Sequence, residues 1–173
     1  LLHAAFMAGR PCLVILPTEL VGRNGDTLKS IILRLAGVAQ AEDDFLDWLS
    51  GSCVFANSLV DRIVSEPLEP AGAIAEPYAL WAVERQPGLR MPCEHECIKI
   101  VDDLEPYERL KIHILNLGHT ILAERWLRGG GSPAMTVRLM LQSGTVKNEL
   151  CDIYRDEVIP GFAARNMEAQ ASD

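Results

Sequence analysis

Lys111, Asn116 and His119 interrupt a strongly apolar stretch, among Leu110, Ile112, Ile114, Leu115, Leu117, Ile121 and Leu122. On a regular α-helix Asn116 lies roughly 140° and His119 roughly 80° around from Lys111, with a rise of about 12 Å from Lys111 to His119. All three then project into one broad face, and the lysine stem closes much of the distance. An ammonium buried without a partner is disfavoured, so its pKa falls, by up to ~3–5 units when burial is complete. Such a lysine accepts a proton near neutral pH. Asn116 and His119 can donate hydrogen bonds to an oxygen that gains negative charge. Hydride removal from an alcohol needs that set: a base for the hydroxyl proton and donors for the alkoxide. The competing account is a lysine that snorkels to solvent beside two satisfied core polar groups.

These side chains need a helix to position them, and the text from Tyr107 to Arg128 predicts one. Pro106 precedes it, where a helix start tolerates proline, and Gly129, Gly130 and Gly131 end it. Its apolar residues run almost all round, which predicts burial. Upstream, residues 1–9 read as a helix ended by Gly9. Cys12–Leu16 reads as a strand buried on both faces, as in a parallel sheet. Pro17 stops it, and Gly22–Gly25 reads as a loop. Asp26 is the expected cap of a helix with Leu28, Ile31, Ile32 and Leu35 on one side. Residues 41–50 form a second amphipathic helix, with Phe45, Trp48 and Leu49 inward. The acidic run Glu42-Asp43-Asp44 is its solvated start.

Three β-like runs follow, Val60–Val64, Tyr78–Val83 and Cys97–Val101, separated by turn text such as Glu66-Pro67 and Glu69-Pro70-Ala71-Gly72. Two more helices are expected over about 134–142 and 146–158, and a loosely held tail after Phe162. Helix, buried strand, loop and helix are the grammar of an α/β fold.

The chain has 173 residues, a net charge of −8 and a pI near 5.0. That balance argues against nucleic acid and anionic membrane as partners. No apolar stretch is long enough to span a bilayer. Five cysteines, an odd number, lie among apolar neighbours and favour free thiols in a reducing cytoplasm. Cys93-Glu94-His95-Glu96-Cys97 carries zinc-ligand residue types at a spacing unlike the usual zinc motifs, so no metal site is expected. A zinc-binding interaction module built on those residues is the rival of a different class. Arg128 to Ser132 follows a helix rather than a strand, so its glycines read as a helix terminator and not a phosphate cradle. The first residue is Leu1, in helix-like text, so the chain is expected to begin inside a domain.

The segment from Lys111 to His119 fits K-x4-N-x2-H, and with it the sequence resembles the polyol-specific long-chain dehydrogenases. These are the mannitol dehydrogenases and the tagaturonate and fructuronate reductases. Other family-like text follows in order: Pro17-Thr18-Glu19-Leu20 with Asn24-Gly25; Asn57-Ser58-Leu59-Val60-Asp61-Arg62-Ile63-Val64; Glu76-Pro77-Tyr78 with Trp81; and Asp102 to Tyr107. The similarity covers most of 11–162.

The resemblance implies an α/β fold in two parts. Residues 1–26 would be the C-terminal end of a Rossmann-type NAD(P)-binding domain. Residues 27–173 would be the N-terminal part of a mainly α-helical substrate domain with a few short strands. It implies hydride transfer at a secondary carbinol of a sugar alcohol or hexuronate, with NAD or NADP and no metal. Lys111 would be the base, and Asn116 with His119 would hold the oxyanion. Asn57, Asp61 and Arg62 would lie near the substrate, and Glu19 and Asn24 near the cofactor. Glycine inside the helix at Gly118 implies that something approaches the backbone there.

Mannitol-type members usually carry Asp-Asn where this chain has Glu19-Leu20, which looks more like the tagaturonate (altronate) branch. Glu76-Pro77-Tyr78 and Trp81 look more like the mannitol and fructuronate branches. The family's glycine-rich dinucleotide loop is expected upstream of Leu1, and its helical domain is expected to continue past Asp173. A catalytically silent remnant of such an enzyme is the alternative.

Overall fold

The structure is a computed structural model and describes residues 1–164. Residues 165–173, and with them most of the expected loose tail, lie outside the described residues. The chain forms two compact units that divide after Leu104.

The first unit opens with α1 (Leu2–Met7), β1 (Val14–Ile15), α2 (Asn24–Val38) and α3 (Asp43–Asp47). A π-helical turn over Trp48–Ser52 extends α3 and leads into β2 (Val54–Phe55). β1 and β2 pair in parallel, Val14 with Val54 and Ile15 with Phe55. Parallel strands need a crossover between them, which α2 and α3 supply. Phe45, Trp48, Leu49, Cys53 and Phe55 are buried together, and Phe6, Leu13, Ile15, Leu28 and Ile32 pack against them.

Two expectations change here. β1 is half-buried rather than enclosed on both faces. α2 starts at Asn24, not after Asp26, because its cap comes from far along the chain: Asn57 Oδ1 accepts the Asp26 N–H at 3.1 Å. Arg23, just before the helix, is left-handed with φ 51°.

Next come β3 (Ser58–Asp61), β4 (Val64–Leu68), β5 (Gly72–Ala75), β6 (Leu80–Glu84) and β7 (Ile98–Val101). β3, β6 and β7 form a three-stranded sheet in that order, antiparallel then parallel. Ala82 and Val83 at its centre are fully buried. β4 and β5 form a separate hairpin through text that reads as loop. Its β4 is exposed along its whole length, the setting in which a strand tolerates Pro67.

In the second unit α4 (Glu105–Leu110), a π-helical segment over Lys111–Asn116 and α5 (Leu117–Arg128) run on as one helix. It ends where the glycines predict, with Gly130 and Gly131 at φ 94° and 65°. α6 (Val137–Gln142) is capped by Thr136, whose hydroxyl accepts the Leu139 N–H. α7 (Gly144–Ile153), a π-helical turn over Tyr154–Val158 and α8 (Ile159–Ala163) complete the described chain. Among the described residues no helix is long and apolar enough to cross a membrane.

Candidate active site

The K-x4-N part of the motif coincides with the π-helical segment, from Lys111 to Asn116. Within it the Leu117 N–H bonds the carbonyl of Ile112, five residues back rather than four. A π turn takes one extra residue into one turn. Asn116 therefore stands about one turn above Lys111, roughly 40° around instead of roughly 140°. His119, three residues on in regular α-helix, returns to roughly 20° from Lys111. The spacing 111, 116, 119 is scattered on an ideal helix. On this one it forms a single stripe.

A side chain from elsewhere adds to the ladder. The Ile114 carbonyl accepts the Gly118 N–H, four residues on, and Tyr154 Oη donates to the same carbonyl at 2.5 Å. A Cβ on Gly118 would collide with the Tyr154 oxygen. Thr120 Oγ1 also donates to the Asn116 carbonyl at 2.8 Å, a contact that itself bends helices. Burial pushes the Tyr154 phenol above its ordinary pKa, and the facing Gly118 N–H acts the other way.

The stripe is not enclosed. Lys111 is half-buried, while Asn116 and His119 are exposed. Burial on this helix is confined to Gly118 and Leu122. Ile112 and Leu127 are 54% and 66% exposed. The expectation of a helix buried all round is therefore corrected: α7 and the Tyr154 turn cover one side only.

In the first unit Asn24 and Asn57 are both 4% exposed, and protein groups use their polar atoms. Asn24 Nδ2 donates to the carbonyls of Pro17, Glu19 and Ser58, at 3.1, 3.0 and 2.9 Å. Its Oδ1 accepts the Ser58 N–H at 2.9 Å. Ser58 Oγ adds a bond to the Pro17 carbonyl at 2.5 Å. Asn57 Nδ2 donates to Glu84 Oε2 at 2.7 Å and to Asp26 Oδ2 at 3.2 Å. Arg23 closes the group, with its guanidinium 2.6 Å from Asp26. These two asparagines clasp the loop after β1 and the start of α2 to β3. The amide groups of both side chains are engaged by these protein partners. Glu19 contributes its backbone carbonyl, and its side chain is exposed.

Asp61 and Arg62 are brought together at the far end of β3. Arg62 Nε donates to the Glu76 carbonyl at 3.1 Å, and the Glu76 carboxylate accepts the Ile63 N–H at 2.7 Å. Tyr78 joins them, its pKa raised by burial and then by the charges of Asp61 and Glu76. Spacing alone did not single out Glu76, Glu84 or Tyr154. The glycine at 118 was the one signal that a group such as Tyr154 approaches.

Could the start of α2 hold a dinucleotide pyrophosphate, as helix starts after a first parallel strand do? The residues do not fit. Asn57 occupies the Asp26 N–H. A Cβ on Gly25 would lie 2.5–2.7 Å from backbone atoms of Phe55 and Ala56, so the strand end already fills the space. The Asp26 carboxylate adds negative charge. Nor do the described residues bring three potential metal ligands together; Cys93 and His95 line a surface groove with Met91, Ile98 and Ile100. All five cysteines are free.

The model of the mannitol dehydrogenase Rossmann domain matches residues 2–92, more than half of the chain. The chain belongs to the mannitol dehydrogenase family. The altronate oxidoreductase of Bacillus subtilis (strain 168) is 30% identical over 178 residues, covering 92% of this chain and 36% of that protein. The altronate oxidoreductase of Klebsiella pneumoniae (strain 342) is 32% identical over 130 residues, covering 63% of this chain and 26% of that protein. The chain thus spans about a third of the length of the curated relatives it matches.

Two solved structures share the fold. One is a D-sorbitol dehydrogenase in substrate-free form, with a TM-score of 0.72, 21% identity, and coverage of 98% of this chain and 40% of that one. The other is the Pseudomonas fluorescens mannitol 2-dehydrogenase in a ternary complex with NAD and D-mannitol. Its TM-score is 0.67 at 20% identity, over 99% of this chain and 38% of that one. The mannitol dehydrogenase fold accounts for both units: a Rossmann-type α/β part, then helices.

Proposed function

We propose that this chain carries the alcohol-side machinery of an NAD(P)-dependent dehydrogenase acting on a secondary carbinol of a polyol or hexonate, in the cytoplasm. What supports the reading is the π turn, which lines up Lys111, Asn116 and His119 on one face. The Lys111 amine takes the hydroxyl proton as the carbinol hydrogen leaves with its electron pair. The Asn116 amide and the His119 ring N–H donate to the oxygen while it carries negative charge. The carbinol becomes a carbonyl, and the lysine ends as the ammonium. The nicotinamide, when bound, supplies the hydride acceptor; the start of α2 contributes nothing to its pyrophosphate. Arg62, exposed beside Asp61, suits a substrate carboxylate of the hexonate type.

Altronate is the preferred substrate, because Glu19-Leu20 and the altronate oxidoreductase relatives point the same way. The test is a panel on the natural protein that carries these residues, following NAD(P)H absorbance with mannitol, fructose, altronate, tagaturonate, mannonate and fructuronate. Turnover of the altronate–tagaturonate pair, lost in Lys111→Ala by ~10²–10⁴-fold in kcat, is the expected result. No turnover of any of the six would favour a silent remnant instead.

A further inference from the structure

We propose that Glu76 is a positioning residue for substrate recognition: it fixes the Arg62 guanidinium so that its outer edge grips the carboxylate of a hexonate. The consequence for turnover rests on the dehydrogenase reading; the hydrogen bonds around Glu76 stand without it. The ladder between β3 and β6 stops at Asp61 opposite Leu80, and the hairpin ladder starts at Val64 opposite Ala75. Arg62, Ile63 and Glu76 lie between the two ladders, at the base of the hairpin, where neither ladder holds the backbone. Glu76 supplies three bonds there. Its N–H donates to the Ile63 carbonyl at 3.0 Å, its carboxylate accepts the Ile63 N–H at 2.7 Å, and its carbonyl accepts Arg62 Nε at 3.1 Å.

A guanidinium carries its N–H donors in a rigid fork. With Nε held by the Glu76 carbonyl, the far edge, one N–H from each terminal nitrogen, is left for the two oxygens of a carboxylate. Arg62 is exposed, and among the described residues no carboxylate pairs with it. Negative charge is not what Glu76 contributes. Asp61 and Glu76 both push the Tyr78 phenol up, so two carboxylates already stand near this place and would repel a third. The useful part of Glu76 is the oxygen that accepts the Ile63 N–H, and a glutamine Oε1 would accept it as well.

The test is steady-state kinetics on altronate with the natural protein carrying these residues. It compares Glu76→Ala, Glu76→Gln, Arg62→Ala, Arg62→Lys and the double variant Arg62→Ala/Glu76→Ala. Glu76→Ala removes the side-chain bond and loosens residues 62 and 63, so KM for altronate should rise about 10-fold, the scale of one hydrogen bond to a charged group. Both kcat and the KM for the nicotinamide cofactor should stay within a few-fold. Glu76→Gln should return KM for altronate to the wild-type value or below it, since it keeps the acceptor and removes a negative charge. Arg62→Lys keeps the charge but not the fork; it should raise KM by about 10-fold or more, and it serves if Glu76→Ala does not fold. Arg62→Ala and the double variant should share one KM, because Glu76 acts through Arg62. In an enzyme that turns over altronate, an unchanged KM in Glu76→Ala or in Arg62→Lys would overturn the proposal. So would a KM raised as far by glutamine as by alanine, or effects that add in the double variant. No turnover of altronate by the wild-type protein would instead sink the substrate reading, and this role with it.

Discussion

Asn24 and Ser58, far apart in sequence, exchange two hydrogen bonds of 2.9 Å, one in each direction between the Asn24 amide and the Ser58 backbone. The side-chain amide thereby acts as a short extra strand beside the first residue of β3. It also holds the carbonyls of Pro17 and Glu19. One residue joins the loop after β1, the first turn of α2 and the three-stranded sheet.

Asn24→Ala should therefore be among the most damaging single changes in the first unit. It leaves the buried Ser58 N–H and carbonyl without partners, and an unpaired buried polar group costs about 1–3 kcal/mol. The expected loss is about 2–5 kcal/mol, read as a drop in the urea midpoint. Asn24→Asp should be nearly as harmful, because a carboxylate would face carbonyls and could donate nothing. A loss below about 1 kcal/mol in the alanine variant would contradict the clasp.

Two glycines of α2 should respond oppositely to alanine. A Cβ on Gly25 would lie 2.5 Å from the Ala56 carbonyl carbon, with backbone on every near side. Gly25→Ala should destabilise by about 3 kcal/mol or more, since the strand end must move. Gly37, near the other end of the helix, has nothing within 4 Å of that position. Gly37→Ala should stabilise by a few tenths to about 1 kcal/mol through helix propensity. Thermal melts of the two variants check both signs.

The large pattern of the chain was legible in its residues. Phe45, Trp48 and Leu49 do form the core face of one helix, and Gly129–Gly131 do end another. β2 was hidden because two residues carry no periodicity. Asp26 looked like a cap because capping is read locally, whereas the capping oxygen belongs to Asn57, and no local rule reaches that far. The clasp made by Asn24 and Asn57 was not legible, because its partners lie far along the chain. The helix from 105 to 128 was visible, but its π turn was not. The regular 100° rotation scattered Lys111, Asn116 and His119, and the π turn between the first two brings them into line.

Gly118 and Tyr154 should be coupled in stability. In the presence of the tyrosine, Gly118→Ala gains about 1 kcal/mol of helix propensity but drives a methyl into the hydroxyl, an overpacking cost of about 1–3 kcal/mol. With phenylalanine at 154 the nearest ring carbon is in ordinary contact at 3.6 Å, so only the gain remains. Gly118→Ala should thus be destabilising in the wild-type background and stabilising in Tyr154→Phe. A double-mutant cycle from denaturant unfolding should give a coupling of about 2 kcal/mol. Additive effects would mean that the hydroxyl does not fill the space above Gly118.

Alkaline pH should unfold the protein partly through Tyr154 and Tyr78. Burial raises both phenols above the ordinary 10.0, and Asp61 and Glu76 raise Tyr78 further. Below that value both tyrosines are protonated in folded and unfolded chains alike, and their contribution to stability is fully present. As pH rises past it, the unfolded chain releases its protons first and is favoured. The loss continues until the folded tyrosines ionise too. Within that window Tyr154 lowers stability at a limiting slope of about 1.4 kcal/mol per pH unit, and the more exposed Tyr78 at a smaller one. Ionised Tyr154 also loses the proton it donates to the Ile114 carbonyl, and with it that hydrogen bond. Urea unfolding between about pH 9 and about pH 11 should show a shallower alkaline slope in Tyr154→Phe than in wild type, and likewise in Tyr78→Phe. Equal slopes in all three would mean that neither phenol is held back by its surroundings.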